Sequence, residues 1–168
     1  MSVIEHKKEA PKNIAVMIIT VSDTRNAETD KSGQLIRELL TEAGHSVIRY
    51  TIVKDEREPI SRAIEEGAGD PAVQAILLNG GTGIARRDVT YEVVESLLDK
   101  QLPGFGEIFR MLSYTEDIGP AAMLSRAIAG VYRDRALFSM PGSSGAVRLA
   151  MNKLILPEIA HVVREIHK

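Results

Sequence analysis

The sequence predicts an α/β domain: a three-layer sandwich with a mostly parallel sheet, one mixed or antiparallel strand region, and helices on both faces. Three observations lead there. Short runs of branched apolar residues alternate with amphipathic segments of helical spacing along most of the chain. Most runs end in glycine, serine or aspartate, the residues of turns and helix caps. Near the C-terminal third the alternation gives way to two short apolar runs around a polar "RDR", which reads as an antiparallel pair within a parallel sheet.

Taken in order, "IAVMIITV" at 14–21 is a strand buried on both faces, because an unbroken apolar run leaves no polar face for solvent. "DKSGQLIRELLTEAG" places Leu35, Ile36, Leu39, Leu40 and Ala43 on one helical stripe, with Gly44 as a left-handed stop. "HSVIRYTIV" is a second strand, "PISRAIEEG" a helix with Pro59 near its start, and "AVQAILLN" a third buried strand. After Asp88, Val89, Val93, Val94, Leu97 and Leu98 share a helical face, and "PGFGEIFRMLSY" forms a further helix. "SRAIAGVYRDRALFSM" supplies the two short strands. From Ser143 or Ser144 a final helix collects Val147, Met151, Leu154 and Ile155, then Ile159, Val162, Val163 and Ile166, with a kink expected at Pro157. The chain divides into a flexible tail, 1–12, and one domain, 13–168.

Composition narrows the function. At 168 residues, 44% hydrophobic and 26% charged, the chain is an ordinary globular domain able to bury a core. A net charge of -2 is a poor electrostatic match to a polyanion, so no nucleic acid is expected, while a local basic pocket for a small phosphate ligand stays open. No apolar run approaches the ~18 residues of a membrane span, and the N-terminus lacks a secretory signal, so a cytoplasmic setting is expected. Without cysteine there is no thiolate metal site, and His6, His45, His161 and His167 have no metal-ligand spacing in sequence, so no zinc site is expected.

Two glycine turns carry the chemistry. In open α/β sheets ligands sit beyond the carboxyl ends of strands, and "LLNGGTGIARRDVT" at 77–90 lies at such an end. Glycines there remove side-chain bulk and let successive amide N–H groups point at an anion. Neither familiar phosphate motif fits: a P-loop would need a lysine, and a GxGxxG frame from Gly81 puts Arg86 at the third glycine. "FSMPGSSGAVRLA" repeats the device, with Ser143 and Ser144 able either to cap the last helix or to donate to a phosphate. Asp88 is open to two readings. It, or Thr90, caps the following helix, or it holds magnesium against a phosphate that it would otherwise repel. Asp55 in "VKDER" ends the second strand and is either a solvated loop residue or a second carboxylate at the same edge. Glu107 and Arg110 lie one helical turn apart, as an exposed ion pair or as residues facing the cleft.

"GGTGIARRDVT", "PGFGEIFRMLS", "AMLSRAIAG" and "MPGSSGAV", in that order and with "TVSDTR", "DKSGQLI" and "VKDE" upstream, resemble the MoaB/MogA family of molybdenum cofactor biosynthesis from about Ile14 to the last helix. The resemblance implies an adenylyltransferase that moves AMP from magnesium ATP onto the terminal phosphate of molybdopterin. It implies catalytic roles for Asp55, Asp88 and Glu107, with magnesium (Mg2+) at Asp88. Gly80, Gly81, Thr82, Gly83, Thr90, Arg110, Pro141, Gly142 and Ser143 make up the substrate-binding set. Arg86 and Arg87 either favour the anionic ligands or face solvent. A homotrimer or homohexamer is implied as well; a pterin carrier without chemistry is the alternative. Two positions depart from the family pattern: Tyr91 stands where proline is frequent, and Asn79 where threonine often precedes the glycines.

Overall fold

A computed structural model describes residues 2–168. The strands are β1 (Ala15–Val21), β2 (Ser46–Val53), β3 (Ala75–Asn79), β4 (Lys100–Gln101), β5 (Ile128–Tyr132) and β6 (Arg135–Met140). The helices are α1 (Val3–Glu9), α2 (Lys31–Glu42), α3 (Arg57–Gly69), α4 (Thr90–Leu97), α5 (Pro103–Glu116), α6 (Ser144–Ala150) and α7 (Leu156–Ile166). The sheet runs β2-β1-β3-β6-β5-β4, parallel from β2 to β6 and antiparallel beyond. The expected "RDR" turn is a two-residue hairpin in which Arg133 and Asp134 take φ of 45° and 62°, the left-handed pair that matches strand twist.

Alternation along β1 builds both cores. Val16 and Ile18 face α2, α5, α6 and α7, meeting Ile36, Leu40, Phe109, Val147 and Met151. Met17, Ile19 and Val21 face α3 and α4, meeting Ile60, Ile64, Val93 and Val94. All of these side chains are buried, each contributing about 1.5–3 kcal/mol by leaving water. Helices therefore cover both faces, and the middle strands read as continuous apolar runs.

Two segments differ from expectation. The N-terminal stretch expected to be a flexible tail contains helix α1, which buries none of its own residues. Ser2 and Glu5 form a reciprocal cap at its start, and Lys7 and Glu9 pair with Glu158 and Arg164 of α7. The long C-terminal helix does not simply kink at Pro157. Residues Met151–Ile155 widen into a π turn in which the Leu156 N–H donates to the Met151 carbonyl. Proline has no N–H and crowds the preceding turn, so the helix absorbs it by one wider turn while Met151 and Ile155 stay buried. Sequence periodicity also passed over the two-residue β4 and the 3-10 turn Gly119–Leu124.

Register positions the site. Val21 pairs with Val53, Thr20 with Asn79, and Asn79 with Met140, so the segments after β1, β2, β3 and β6 leave the sheet at one edge.

Candidate active site

The two glycine turns meet at that edge. The Gly80 N–H donates to the Met140 carbonyl at 3.0 Å, and a Cβ placed on Gly142 would lie 3.3 Å from Gly80 Cα. Gly80 and Gly81 adopt φ of 99° and 68°, and a Cβ on them would strike the Val21 carbonyl at 2.2 Å and Thr90 Oγ1 at 2.1 Å. Only glycine fits there. Among the described residues, the N–H groups of Gly81, Thr82 and Gly83 donate to no protein acceptor, and neither do those of Gly142, Ser143 and Ser144. Two sets of unpaired amides thus lie side by side.

Beneath the turns runs a buried polar network that no local pattern announces. The Thr20 hydroxyl donates to Asp30 Oδ2 at 2.6 Å, Asn79 Nδ2 donates to Thr20 at 2.9 Å, and Ser32 donates to Asn79 Oδ1 at 2.8 Å. Asp30 is fully buried, takes the Tyr50 hydroxyl as well, and caps α2 through the Gly33 N–H. Burial, then the bond to Asp30, pushes the Tyr50 phenol up. Asn79, one of the two departures from the family pattern, therefore ties the end of β3 to both β1 and α2. Arg25 completes the base, donating to Ser32 and, at 3.1 Å, to the Gly142 carbonyl. Such a network is rigid because every member would be costly to leave unpaired.

Arg126 holds the first turn from the other side. Its backbone N–H donates to the Thr82 carbonyl, its Nε to Gly83 at 2.9 Å, and its Nη2 to the Asp88 carbonyl at 2.8 Å. Nη1 pairs with Glu92, whose carboxyl is lowered by that bond, and the guanidinium lies 5.4 Å from the Tyr91 ring centroid. Three carbonyls of the turn are engaged by one residue far away in sequence.

The carboxylates gather beside the first turn. Neither Asp88 nor Thr90 caps α4, whose N-cap position is Val89. Asp88 Oδ2 instead accepts the Ala85 N–H at 2.9 Å, and it would lie 2.7 Å from a Cβ on Gly83. Asp55 Oδ1 would lie 3.2 Å from a Cβ on Gly81. The Asp55 carboxylate has no side-chain donor among the described residues, only the Asp23 backbone N–H nearby. Burial first, then the charges of Asp23 and Asp88, raises its carboxyl above the ordinary value. Asp23, which sequence reasoning passed over within "TVSDTR", accepts the Asp55 N–H at 3.1 Å and a two-pronged bond from Arg87. The Arg87 hydrogen bonds hold Asp23 at about 2. Arg87 thus serves the acidic cluster, while Arg86 is exposed and has no ion pair among the described residues.

The remaining candidates separate. Ser143 caps α6, accepting the Ala146 N–H at 3.3 Å, and its own hydroxyl proton remains available. Pro141 starts that turn. Thr82 and Thr90 are buried, and Thr90 Oγ1 has no hydrogen-bond partner. Glu107 and Arg110 form no ion pair with each other; Arg110 donates to the Ala127 carbonyl at 3.3 Å. Both line a 140 Å³ hollow with Tyr91, Gly106 and Ala127, and nothing bonds Glu107 to Asp55 or Asp88. Tyr91, the second departure from the family pattern, is the side chain common to this hollow and to Arg126. A larger groove of 610 Å³, lined by Asp117, Gly145, Arg148 and Lys153, flanks the second turn along α6.

A family profile described as "Probable molybdopterin binding domain" matches residues 17–161. The chain is 64% identical over 168 residues, all of it and 99% of the relative, to molybdenum cofactor biosynthesis protein B of Bacillus subtilis. A crystal structure of a molybdenum cofactor biosynthesis protein B superposes with a TM-score of 0.92 at 61% identity, covering 95% of this chain and 99% of that one. The tungsten cofactor synthesizing protein MoaB from Pyrococcus furiosus superposes at 0.83 with 38% identity, covering 95% and 100%.

Proposed function

We propose that this chain, which belongs to the molybdopterin-binding domain family of molybdenum cofactor biosynthesis, transfers AMP from magnesium ATP onto the terminal phosphate of molybdopterin. One observation carries the reading: two turns of unpaired amides lie against each other, with Asp55 and Asp88 beside one of them. A phosphate oxygen of molybdopterin attacks the α-phosphorus of ATP, the bond from that phosphorus to the bridging oxygen breaks, and pyrophosphate leaves with the electron pair. Such a reaction asks the protein mainly for alignment and charge placement.

The chain's own groups supply both. Amides of Gly81, Thr82 and Gly83 cradle one phosphate, and those of Gly142 and Ser143, with the Ser143 hydroxyl, cradle the other. Arg126 and the Asp30 network keep the cradles from relaxing. The aspartates fit magnesium: Asp55 is half-buried without a side-chain donor, and Asp88 has one oxygen uncommitted. Bound through Asp55 and Asp88 together with phosphate oxygens, magnesium would neutralise charge on the triphosphate. Glu107 lines a separate hollow with Tyr91 and Arg110, and this reading assigns it to the pterin rather than to the α-phosphorus.

The test is pyrophosphate release from magnesium ATP and molybdopterin. Asp88→Asn should lower turnover by about 100-fold or more, equal to ~2.7 kcal/mol, while molybdopterin affinity changes less than about threefold. Equal losses of both would make Asp88 a binding residue. Tight pterin binding by the unaltered protein without turnover would establish the carrier instead. The same reading includes a cytoplasmic setting, where ATP is available, and a homotrimer or homohexamer. Exposed Ile108, Met111, Tyr114, Ile118 and Met123 on α5 and the following 3-10 turn support self-association. A monomeric mass by light scattering would remove the oligomer from the proposal.

A further inference from the structure

Away from the sheet edge, α1 and α7 bring together two histidines that are 155 residues apart in the chain. His6 Nδ1 lies against Glu165 Oε1, His161 Nε2 is 3.6 Å from the same oxygen, and one ligand atom from each of the three residues falls within a 4.8 Å set. His161 and Glu165 are one helical turn apart on α7, so a single helix face presents both, and His6 closes the set from α1. The side chains of the two histidines are only 15% and 18% exposed.

A histidine–carboxylate ion pair would account for part of this, but the second nitrogen of His161 adds something more. Its Nδ1 is 2.8 Å from Glu158 Oε2, and Lys7 in turn holds Glu158. A carboxylate on Nδ1 fixes the tautomer and aims the Nε2 lone pair outward, the arrangement that orients histidine ligands in metal sites. Here Nε2 is aimed at the Glu165 and His6 pair. His161, Glu158 and Glu165 also line a 520 Å³ cavity with Leu102, Val131 and Val162, which gives an ion a route in and room for water as a further ligand.

We propose that His6, His161 and Glu165 form a binding site for a divalent transition cation of the zinc class, with Glu158 orienting His161. Two imidazoles and one carboxylate are the donor set that such ions accept with a position left open. Arg164 at 3.2 Å and Lys168 at 3.4 Å compete for Glu165, so the ion displaces these cations from the carboxylate when it binds. Because the ligands come from both helices, the bound ion fastens α1 to the domain. No rim residue takes part, and the proposal stands whether or not the chain transfers AMP.

The probe is zinc, with cobalt as its spectroscopic substitute, added to the full-length protein without a histidine tag. Calorimetry should show one zinc per chain, cobalt should develop visible ligand-field bands, and zinc should slow amide exchange in residues 3–9. His161→Gln and Glu165→Gln should each weaken zinc binding at least about tenfold, and Glu158→Gln about 10- to 100-fold, with far-UV dichroism unchanged. His6→Gln should abolish the cobalt bands, while His167→Gln should leave them intact. No zinc bound at equimolar concentration, or binding unaltered by His161→Gln and His6→Gln, overturns the proposal and leaves an ion-pair latch between the helices.

Discussion

The two turns at the sheet edge look alike in sequence and differ in almost everything else. The turn after β3 takes left-handed φ at Gly80 and Gly81, is clasped by Arg126 through three carbonyls, and is bordered by Asp23, Asp55 and Asp88. The turn after β6 has no positive φ, is held by Arg25 through one carbonyl, and has one carboxylate nearby, Asp117, 3.3 Å from a Cβ placed on Gly145. Both offer unpaired N–H groups. The difference is one of charge: three carboxylates border the first turn and one stands near the second, so the proposed reading pairs a cation with the anion at the first. Sequence similarity between glycine turns is thus a guide to shape and a poor guide to role.

The strongest way to break that comparison is at the glycines themselves. Gly80→Ala combines a left-handed backbone with a Cβ 2.2 Å from a backbone carbonyl that cannot move aside. A loss of about 3 kcal/mol in denaturant unfolding is expected. Gly142→Ala meets its nearest atom at 3.3 Å without a positive φ, and should lose less than about 1 kcal/mol. Equal losses would mean that the first turn is not the more constrained of the two.

Next in size is the clasp. Arg126→Met strips donors from the Gly83 and Asp88 carbonyls and leaves Glu92 facing them without its partner. About 2 kcal/mol of stability should go, with exchange at the 81–88 amides rising more than at 142–145. Ser143→Ala is the counterpart in the second turn. It removes a helix cap, worth about 1 kcal/mol, and one donor to phosphate. Turnover should fall far less than in Asp88→Asn; a matching fall would give the second turn a share in the charge chemistry.

Much of this was legible beforehand. Branched runs and helical stripes gave every long strand and helix, because the middle strands are buried on both faces and their covering helices must be amphipathic. The two turns and Asp55 and Asp88 were visible as residue types at strand ends. What stayed hidden was partnership across distance. Asp30 caps α2, and nothing local reveals that Thr20, Tyr50 and Asn79 converge around it. Arg126 is one arginine in a loop until the fold sets it behind Gly83. His6 and His161 have no spacing that links them, since their meeting depends on α1 docking on α7. The start of α1 did carry a signal, the Ser2-to-Glu5 capping box, which its polar composition obscured.

The smallest effect sharpens the comparison most, because its sign separates a functional carboxylate from a structural one. Burial, with Asp23 and Asp88 nearby, raises the Asp55 carboxyl, so the folded chain keeps that proton to higher pH than the unfolded chain does. Between the unfolded value of about 3.9 and the folded one, the folded state binds more protons and stability falls as pH rises. The penalty is complete above the folded value. Asp55→Asn should raise the melting temperature at pH 7 by about 1–3 °C, with the gain vanishing as pH falls to the unfolded value, even as turnover is lost. Asp23 runs the other way. Held at about 2 by Arg87, it stabilises the fold above the unfolded carboxyl value and loses that contribution as pH falls toward 2, so Asp23→Asn should lower the melting temperature at pH 7. If Asp55→Asn also proved destabilising at pH 7, Asp55 would be a partner within the fold like Asp23, and the unpaired charge that sets the first turn apart from the second would not exist.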